Sequence, residues 1–141
     1  MKDLTYSVPT AKPFADAVAA VQHSAVAHGF RVLCMHDFSA TLSEKGFHHE
    51  PLTIVEICNA RFAHHVLERD IKAALMLPCR VLVNAEQGRT YVSAMRPTAL
   101  EQLYPGKGIE PIAEEVERTV LAIIDEAAGV PARLHAESLA R

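Results

Sequence analysis

The 141-residue sequence contains no tryptophan, only three cysteines and no surplus of basic charge. It has 14 Lys and Arg residues against 17 Asp and Glu residues, and its formal net charge is -3. No segment concentrates lysine and arginine as a phosphate-binding surface requires, so nucleic acid is excluded as the expected partner. Three cysteines without close pairing, and without an export signal, are expected to be reduced thiols rather than a disulfide framework.

Long hydrophobic runs are also missing. No window approaches the roughly 20 consecutive apolar residues of a membrane helix, and the first residues, MKDLTYSVPTAKPF, lack the apolar run of a secretory signal. We therefore expect no membrane partner and a cytoplasmic location. Because 50% of the residues are hydrophobic, one domain of this length can bury a core unaided. We predict a single domain over residues 1–129 and a C-terminal tail over residues 130–141.

The chain is organised around a central apolar stretch that runs from Leu52 to Val83. The β-branched run Leu52–Cys58 predicts a strand, and the segment from Ala60 to Met76 predicts a helix that breaks near Asp70. A second apolar run, 79–85, predicts the next strand. Asn59 stands between the first strand and the helix, where a short polar side chain is suited to capping the helix.

The remaining elements follow from the same periodicities. We predict strands over 4–8, 30–37 and 89–95, short helices over 39–45 and 99–103, and long helices over about 10–29 and 109–129. In the last helix, Glu117 and Asp125 lie opposite the apolar stripe. The order β-α-β-β-α-β-β-α predicts an α+β two-layer sandwich, in which helices cover one face of a mainly antiparallel five-stranded sheet. The uncovered face predicts a homodimer or a ligand surface.

Several side chains invite a metal hypothesis, although the residue pattern argues against it. His36 ends a predicted strand, and His48 and His49 follow on a polar loop, but no established zinc-ligand spacing joins them, so we interpret the loop histidines as solvated. His64 and His65 lie about 100° apart on their helix and are not expected to chelate together. Cys34, mid-strand between apolar neighbours, is interpreted as a buried structural thiol.

The blocks GFRVLCMHDFSATLSEKGF, IVEICNARFAHHVL and LMLPCRVLVNAEQGRTYVSAMRP resemble the bacterial and archaeal family called domain of unknown function 302. The resemblance spans roughly residues 4–127. The family's Cys-Asn and Leu-Pro-Cys motifs match Cys58-Asn59 and Leu77-Pro78-Cys79, while its proline after Cys-Asn is Ala60 here. This resemblance implies a two-layer α/β fold and a homodimer, and it implies no reaction.

The two motif cysteines are predicted to lie on different faces. Side chains alternate along a strand, so Cys58 shares a face with Glu56, whereas Cys79 shares one with the apolar Val81 and Val83. Core packing is therefore the favoured interpretation of Cys79. A simple parallel crossover would also separate the two cysteines, but a broken crossover would bring the strand ends back together.

Three functional classes remain open. The first is a non-enzymatic ligand- or metal-binding module with Cys58, Asn59 and Glu56 at its site, joined by Cys79 if the strand ends meet; zinc or copper would suit these ligands. The second is a thiol-dependent redox or transfer enzyme in which Cys58 is the nucleophile. Its position at a helix start, near Arg61, predicts a pKa below the usual thiol value. The third is an interaction homodimer whose cysteines only pack.

Overall fold

A computed structural model describes residues 3–131 and confirms the predicted fold class. Five antiparallel strands form one sheet in the order β1-β5-β4-β3-β2. The strands are β1 (Thr5–Thr10), β2 (Arg31–Asp37), β3 (Leu52–Cys58), β4 (Cys79–Glu86) and β5 (Arg89–Met95). The helices are α1 (Phe14–Ala27), α2 (Phe38–Glu44), α3 (Ala60–Arg69), α4 (Ala99–Leu103) and α5 (Glu110–Ala128), and a 3₁₀ helix spans Ile71–Met76.

The core lies between the sheet and the two long helices, α1 and α5. The buried residues of the central strands alternate along each strand, because the strand period of two points these side chains at the helices. The apolar stripe of α5 fills the same layer, as its 3.6-residue period predicts. The fully buried members are Val21, Val55, Ile57, Val81, Val83, Val92, Leu121, Ile123 and Ile124.

Two acidic residues of α5 depart from the prediction that they face solvent. Glu117 is 7% exposed and Asp125 is 2% exposed. The Tyr6 hydroxyl donates a hydrogen bond to Asp125 Oδ1 at 2.6 Å, and the Thr98 hydroxyl donates to Glu117 Oε1 at 2.7 Å. Burial and the Asp125 carboxylate together raise the pKa of Tyr6. Strand β1 and the segment after β5 cover this flank of the helix, which its own periodicity does not reveal.

The connection between β3 and β4 decides the geometry around the motif cysteines. Helix α3 ends at Arg69, and Asp70 then accepts a hydrogen bond from the Lys72 amide to start the 3₁₀ helix, so the predicted break is confirmed. Because of this break, β4 runs antiparallel to β3, and Ile57 lies opposite Cys79. The end of β3 and the start of β4 therefore lie side by side.

Within residues 3–131, no long helix packs on the second face of the sheet. Its central side chains, Ile54, Leu82 and Tyr91 among them, are half-buried, and polar residues surround them. A homodimer formed through this face stays a prediction. So do the domain bounds, and most of the predicted tail, residues 132–141, lies outside the described residues. No helix within residues 3–131 combines the length and the apolar character that a membrane span needs.

Candidate functional site

Three possible metal ligands meet on the open sheet face. Cys34 lies directly opposite Glu56 in the β2–β3 register, and His36 follows two residues along on the same face. The Cys34 Sγ, one imidazole nitrogen of His36 and one carboxylate oxygen of Glu56 all lie within 4.8 Å of one another. Within the part of the chain that the structure describes, no other group of three His, Cys, Asp or Glu side chains comes this close. We call these three residues the Cys-His-Glu cluster.

A β-bulge places Cys34 in this cluster. The register shifts between Val32, which lies opposite Ile57, and Cys34, which lies opposite Glu56, so Leu33 is an extra residue in β2. In a regular register without the bulge, Leu33 would lie opposite Glu56, and Cys34 would point into the core. The prediction that Cys34 is buried is therefore wrong, since the thiol is exposed. The i, i+2 spacing of Cys34 and His36 on a strand was the available signal for this site.

Two side chains, His36 and Arg80, contact the Glu56 carboxylate. His36 Nε2 lies 3.1 Å from Glu56 Oε1, and Arg80 Nε lies 3.6 Å from Glu56 Oε2 across the β3–β4 pair. The Glu56 side chain is 19% exposed, so water screens these contacts only in part. The His36 ring also packs near the Phe38 ring, with the centroids 6.2 Å apart. These contacts orient both oxygens and the imidazole before any ion binds.

The other histidines that the sequence analysis considered lie outside this cluster. His49 Nδ1 contacts the carbonyl of Glu50 at 2.7 Å on the exposed loop, and His48 is exposed beside it. On α3, His64 pairs with Glu68 at 2.6 Å. The interpretation of the loop histidines as solvated side chains therefore agrees with their surroundings, whereas His36 proves to be the histidine with metal-ligand neighbours.

Asn59 supports the fold at the motif cysteines. Its side-chain oxygen accepts a hydrogen bond from the Phe62 amide at 3.2 Å, which confirms the predicted helix cap. Its side-chain nitrogen donates to the carbonyl of Gly29 at 3.0 Å and so ties α3 to the turn before β2. Because both ends of the amide make these contacts, Asn59 acts as a positioning residue.

Cys58 and Cys79 line one apolar cavity of about 300 Å³ at the end of the sheet. Burial raises the pKa of the Cys58 thiol, so the predicted lowering is wrong. Burial, with a smaller contribution from Cys58, raises the pKa of Cys79 to about 11, and Arg80 offsets part of this rise. Cys79 also packs against the main core, as predicted.

The local contacts explain why the start of α3 does not ionise Cys58. Asn59 takes up the Phe62 amide, one of the free N–H groups of the first helical turn. Arg61, expected to add positive charge near the thiol, instead pairs with Glu115 at 2.7 Å and stacks over the Phe62 ring at 4.5 Å. Loss of water around the sulfur then dominates, and the neutral thiol is favoured.

The fold and its two sites define a small α+β sandwich with a polar cluster on its open face and an apolar cavity at one end. The chain belongs to the family described as "Domain of unknown function DUF302", which matches residues 6–127. It is similar to the crystal structure of an uncharacterized conserved DUF302 protein from Bacillus stearothermophilus, with 27% identity and a TM-score of 0.85. That match covers 89% of this chain and 99% of the other. No curated protein matches the sequence.

Proposed function

We propose that this protein is a non-enzymatic metal-binding module that holds one transition-metal ion on its open sheet face, through Cys34, His36 and Glu56. The observation that carries the proposal is the approach of a thiol, an imidazole and a carboxylate to within 4.8 Å of one another. Ligand atoms around a tetrahedral zinc ion are separated by roughly 3 to 4 Å, given bonds of about 2.0 to 2.3 Å. Only small side-chain movements therefore separate the observed cluster from a coordination shell.

The ligand types favour zinc or copper over magnesium or calcium. A thiolate and an imidazole suit the softer ions, whereas magnesium and calcium prefer shells of oxygen ligands. Three protein ligands leave the fourth position of a tetrahedral ion to water or to another molecule. Because the His36 side chain is 44% exposed, an ion at this site can exchange with solvent.

The charges near the cluster set the strength of binding. The Glu56 carboxylate and the thiolate that Cys34 forms on metal binding together balance a divalent ion. The Arg80 guanidinium, 3.6 Å from Glu56, adds a positive charge and opposes binding. We therefore expect a reversible site rather than one that the fold requires. The raised pKa of Cys58 gives no support to the alternative of a thiol-dependent enzyme.

Zinc titration of the reduced protein against a chromophoric chelator tests the proposal. We expect one zinc ion per chain, and we expect His36→Ala to weaken binding at least about tenfold because one ligand is lost. The exposed loop variant His49→Ala is the matched control and should bind like the unaltered protein. Equal zinc affinity in the His36→Ala and unaltered proteins would refute this site.

Cobalt identifies the thiol ligand directly. A cobalt ion bound by Cys34 should show a thiolate-to-metal charge-transfer band that Cys34→Ser removes and Cys79→Ser keeps. A band that instead disappears in Cys79→Ser would move the metal to the motif cysteines, as the sequence first suggested.

A further inference from the structure

The cavity at the end of the sheet is a second site, separate from the Cys-His-Glu cluster. It lies where β3 ends and β4 begins, and its other walls include residues of α3, α5 and the end of β5. Its volume of about 300 Å³ is at the small end of the range for small-molecule pockets. Most of its wall is aliphatic or aromatic, including Ile57, Phe62, Val66, Leu77, Val116 and Val120.

The charged residues of this cavity all have one sign. Among the lining residues, all of which fall within the described range 3–131, there is no Asp, Glu, Lys or His, and Arg80 and Arg96 are the charged members. Burial raises the pKa of the lining thiol Cys79 to about 11, so this thiol adds no negative charge at neutral pH. Arg96 Nη1 lies 3.7 Å from Oε2 of the buried Glu117, which balances its charge, whereas the Arg80 side chain is 50% exposed. An apolar interior with a partly exposed arginine in its wall suits a ligand that has an apolar body and one anionic group.

Arg80 is placed to bind such an anion without giving up its own partner. Its side chain is 50% exposed, and its contact with Glu56 uses Nε at 3.6 Å. A guanidinium has five N–H donors in a planar fork, and its terminal nitrogens match the two oxygens of a carboxylate. Arg80 can therefore contact Glu56 on the open face and a ligand carboxylate at the cavity.

We propose that this cavity binds a small apolar carboxylic acid, such as a short-chain or medium-chain fatty acid, with its hydrocarbon chain inside and its carboxylate at Arg80. The apolar walls supply affinity through the removal of hydrocarbon from water, and the arginine selects the anion over neutral molecules of the same shape. The inference does not depend on metal binding, because no lining residue belongs to the Cys-His-Glu cluster.

Calorimetric titration of the full chain with octanoate tests this proposal, in a buffer that contains a metal chelator. We expect octanoate to bind, and we expect affinity to rise about fourfold for each methylene between butanoate and octanoate. Octanol, the neutral analogue, should bind at least about tenfold more weakly because it cannot pair with a guanidinium. Cys34→Ser should bind octanoate normally, so failure of the metal proposal would not be mistaken for failure of this one.

Two matched pairs of variants locate the ligand. Arg80→Gln should weaken octanoate binding about tenfold, whereas Arg89→Gln, on the exposed hairpin end, should not. Ala63→Leu fills the cavity from α3 and should weaken binding at least about tenfold, whereas Ala19→Leu, on the exposed side of α1, should not.

Methyl NMR of the unaltered protein keeps the proposal testable if Ala63→Leu fails to fold. Octanoate should shift the methyl signals of Val116 and Val120 before those of Val26, which is exposed on α1. Absence of heat and of these shifts at millimolar octanoate would overturn the proposal. Equal binding of octanol, or unchanged octanoate affinity in Arg80→Gln, would overturn its assignment to an anionic ligand.

Discussion

Cysteines on neighbouring strands meet opposite environments in this molecule. Cys34 is exposed on the open sheet face beside an imidazole and a carboxylate, whereas Cys58 and Cys79 line an apolar cavity where burial raises the pKa of both thiols. Access to water accounts for much of the difference, because a thiolate needs solvent, a positive charge or a metal ion to stabilise it. The motif that stands out in the sequence is therefore expected to mark the less reactive thiols.

Arg80 connects the two regions. Its guanidinium contacts Glu56 of the Cys-His-Glu cluster, and Arg80 is also one of the residues that line the cavity. A substitution of Arg80 should therefore change the affinity for a cation on the open face and the affinity for an anion in the cavity in opposite directions. Arg80 is therefore the residue at which the difference between the Cys-His-Glu cluster and the cavity can be tested most directly.

The largest expected contrast is in stability. Phe62 is buried in the cavity wall and packs against Phe30, with ring centroids 6.0 Å apart, so Phe62→Ala should lower the free energy of unfolding by about 3 to 4 kcal/mol. Phe38, beside the Cys-His-Glu cluster, is 40% exposed, and Phe38→Ala should cost about 1 kcal/mol or less. Urea unfolding measures both. Equal losses would show that the two regions do not differ in burial as described.

The next largest contrast is in metal affinity, when Cys34 and Cys58 are replaced in turn. Cys34→Ser should weaken zinc binding about a hundredfold, since a charged ligand is lost, whereas Cys58→Ser should leave it unchanged. Competition with a chelator of known zinc affinity gives both values. Loss of zinc in Cys58→Ser with retention in Cys34→Ser would reverse the assignment.

The pH dependence of protein stability at alkaline pH should reveal the raised pKa of Cys79. The ordinary thiol value is 9.0, which describes the unfolded chain, and the folded pKa is about 11. The neutral Cys79 thiol contributes its full stabilisation below pH 9. This contribution is lost as the pH rises from 9 to 11, because the thiol releases its proton in the unfolded state first. The loss should approach about 2 kcal/mol at pH 11. Cys79→Ala should reduce the slope of unfolding free energy against pH over this window, and the control Cys34→Ala should keep it.

Thiol reactivity should follow exposure. Iodoacetamide at pH 7, read by mass spectrometry for each cysteine, should label Cys34 about tenfold faster than Cys58, with Cys79 slowest. A raised pKa leaves less of the reactive thiolate at neutral pH, and burial slows the reagent further. Faster labelling of Cys58 than of Cys34 would restore the thiol-dependent reading of the family motif.

The smallest expected effect is the one that joins the two regions. Arg80→Gln should strengthen zinc binding about threefold, because a positive charge beside Glu56 is removed from a partly exposed site. Because the same variant should bind octanoate more weakly, its affinities for zinc and for octanoate should change in opposite directions. A change of the same sign for both ligands would mean that Arg80 acts through the fold and not through its charge.

Much of the secondary structure follows from local patterns. The predicted bounds of Leu52–Cys58, Arg89–Met95 and Ala99–Leu103 match the structure, and so do the break near Asp70 and the Asn59 cap. The first strand is an exception, because it was predicted to end at Val8, whereas β1 continues to Thr10 and includes Pro9. β1 is an edge strand, where the missing N–H of a proline is tolerated.

The candidate sites were only partly predictable. Glu56 was predicted to lie on the face opposite Val81 and Val83 and does so, and Cys79 was expected in the core and packs against it. Cys34 was assigned to the core because its sequence neighbours are apolar and free cysteine behaves as a small hydrophobe. The extra residue in β2 instead turns its side chain to the open face. The cavity depends on how closely α3, α5 and the sheet approach, which no local pattern contains.

The sequence by itself determined the α+β class, the element order and the helix cap, because periodicity and capping act between residues a few positions apart. The tertiary structure decided which thiol is exposed to water and that Glu117 and Asp125 are buried. It also decided that Arg80 both contacts Glu56 and lines the cavity. These outcomes depend on strand register and on packing between distant segments. A shift of one residue in register changes the face, and therefore the chemistry, of every side chain after it.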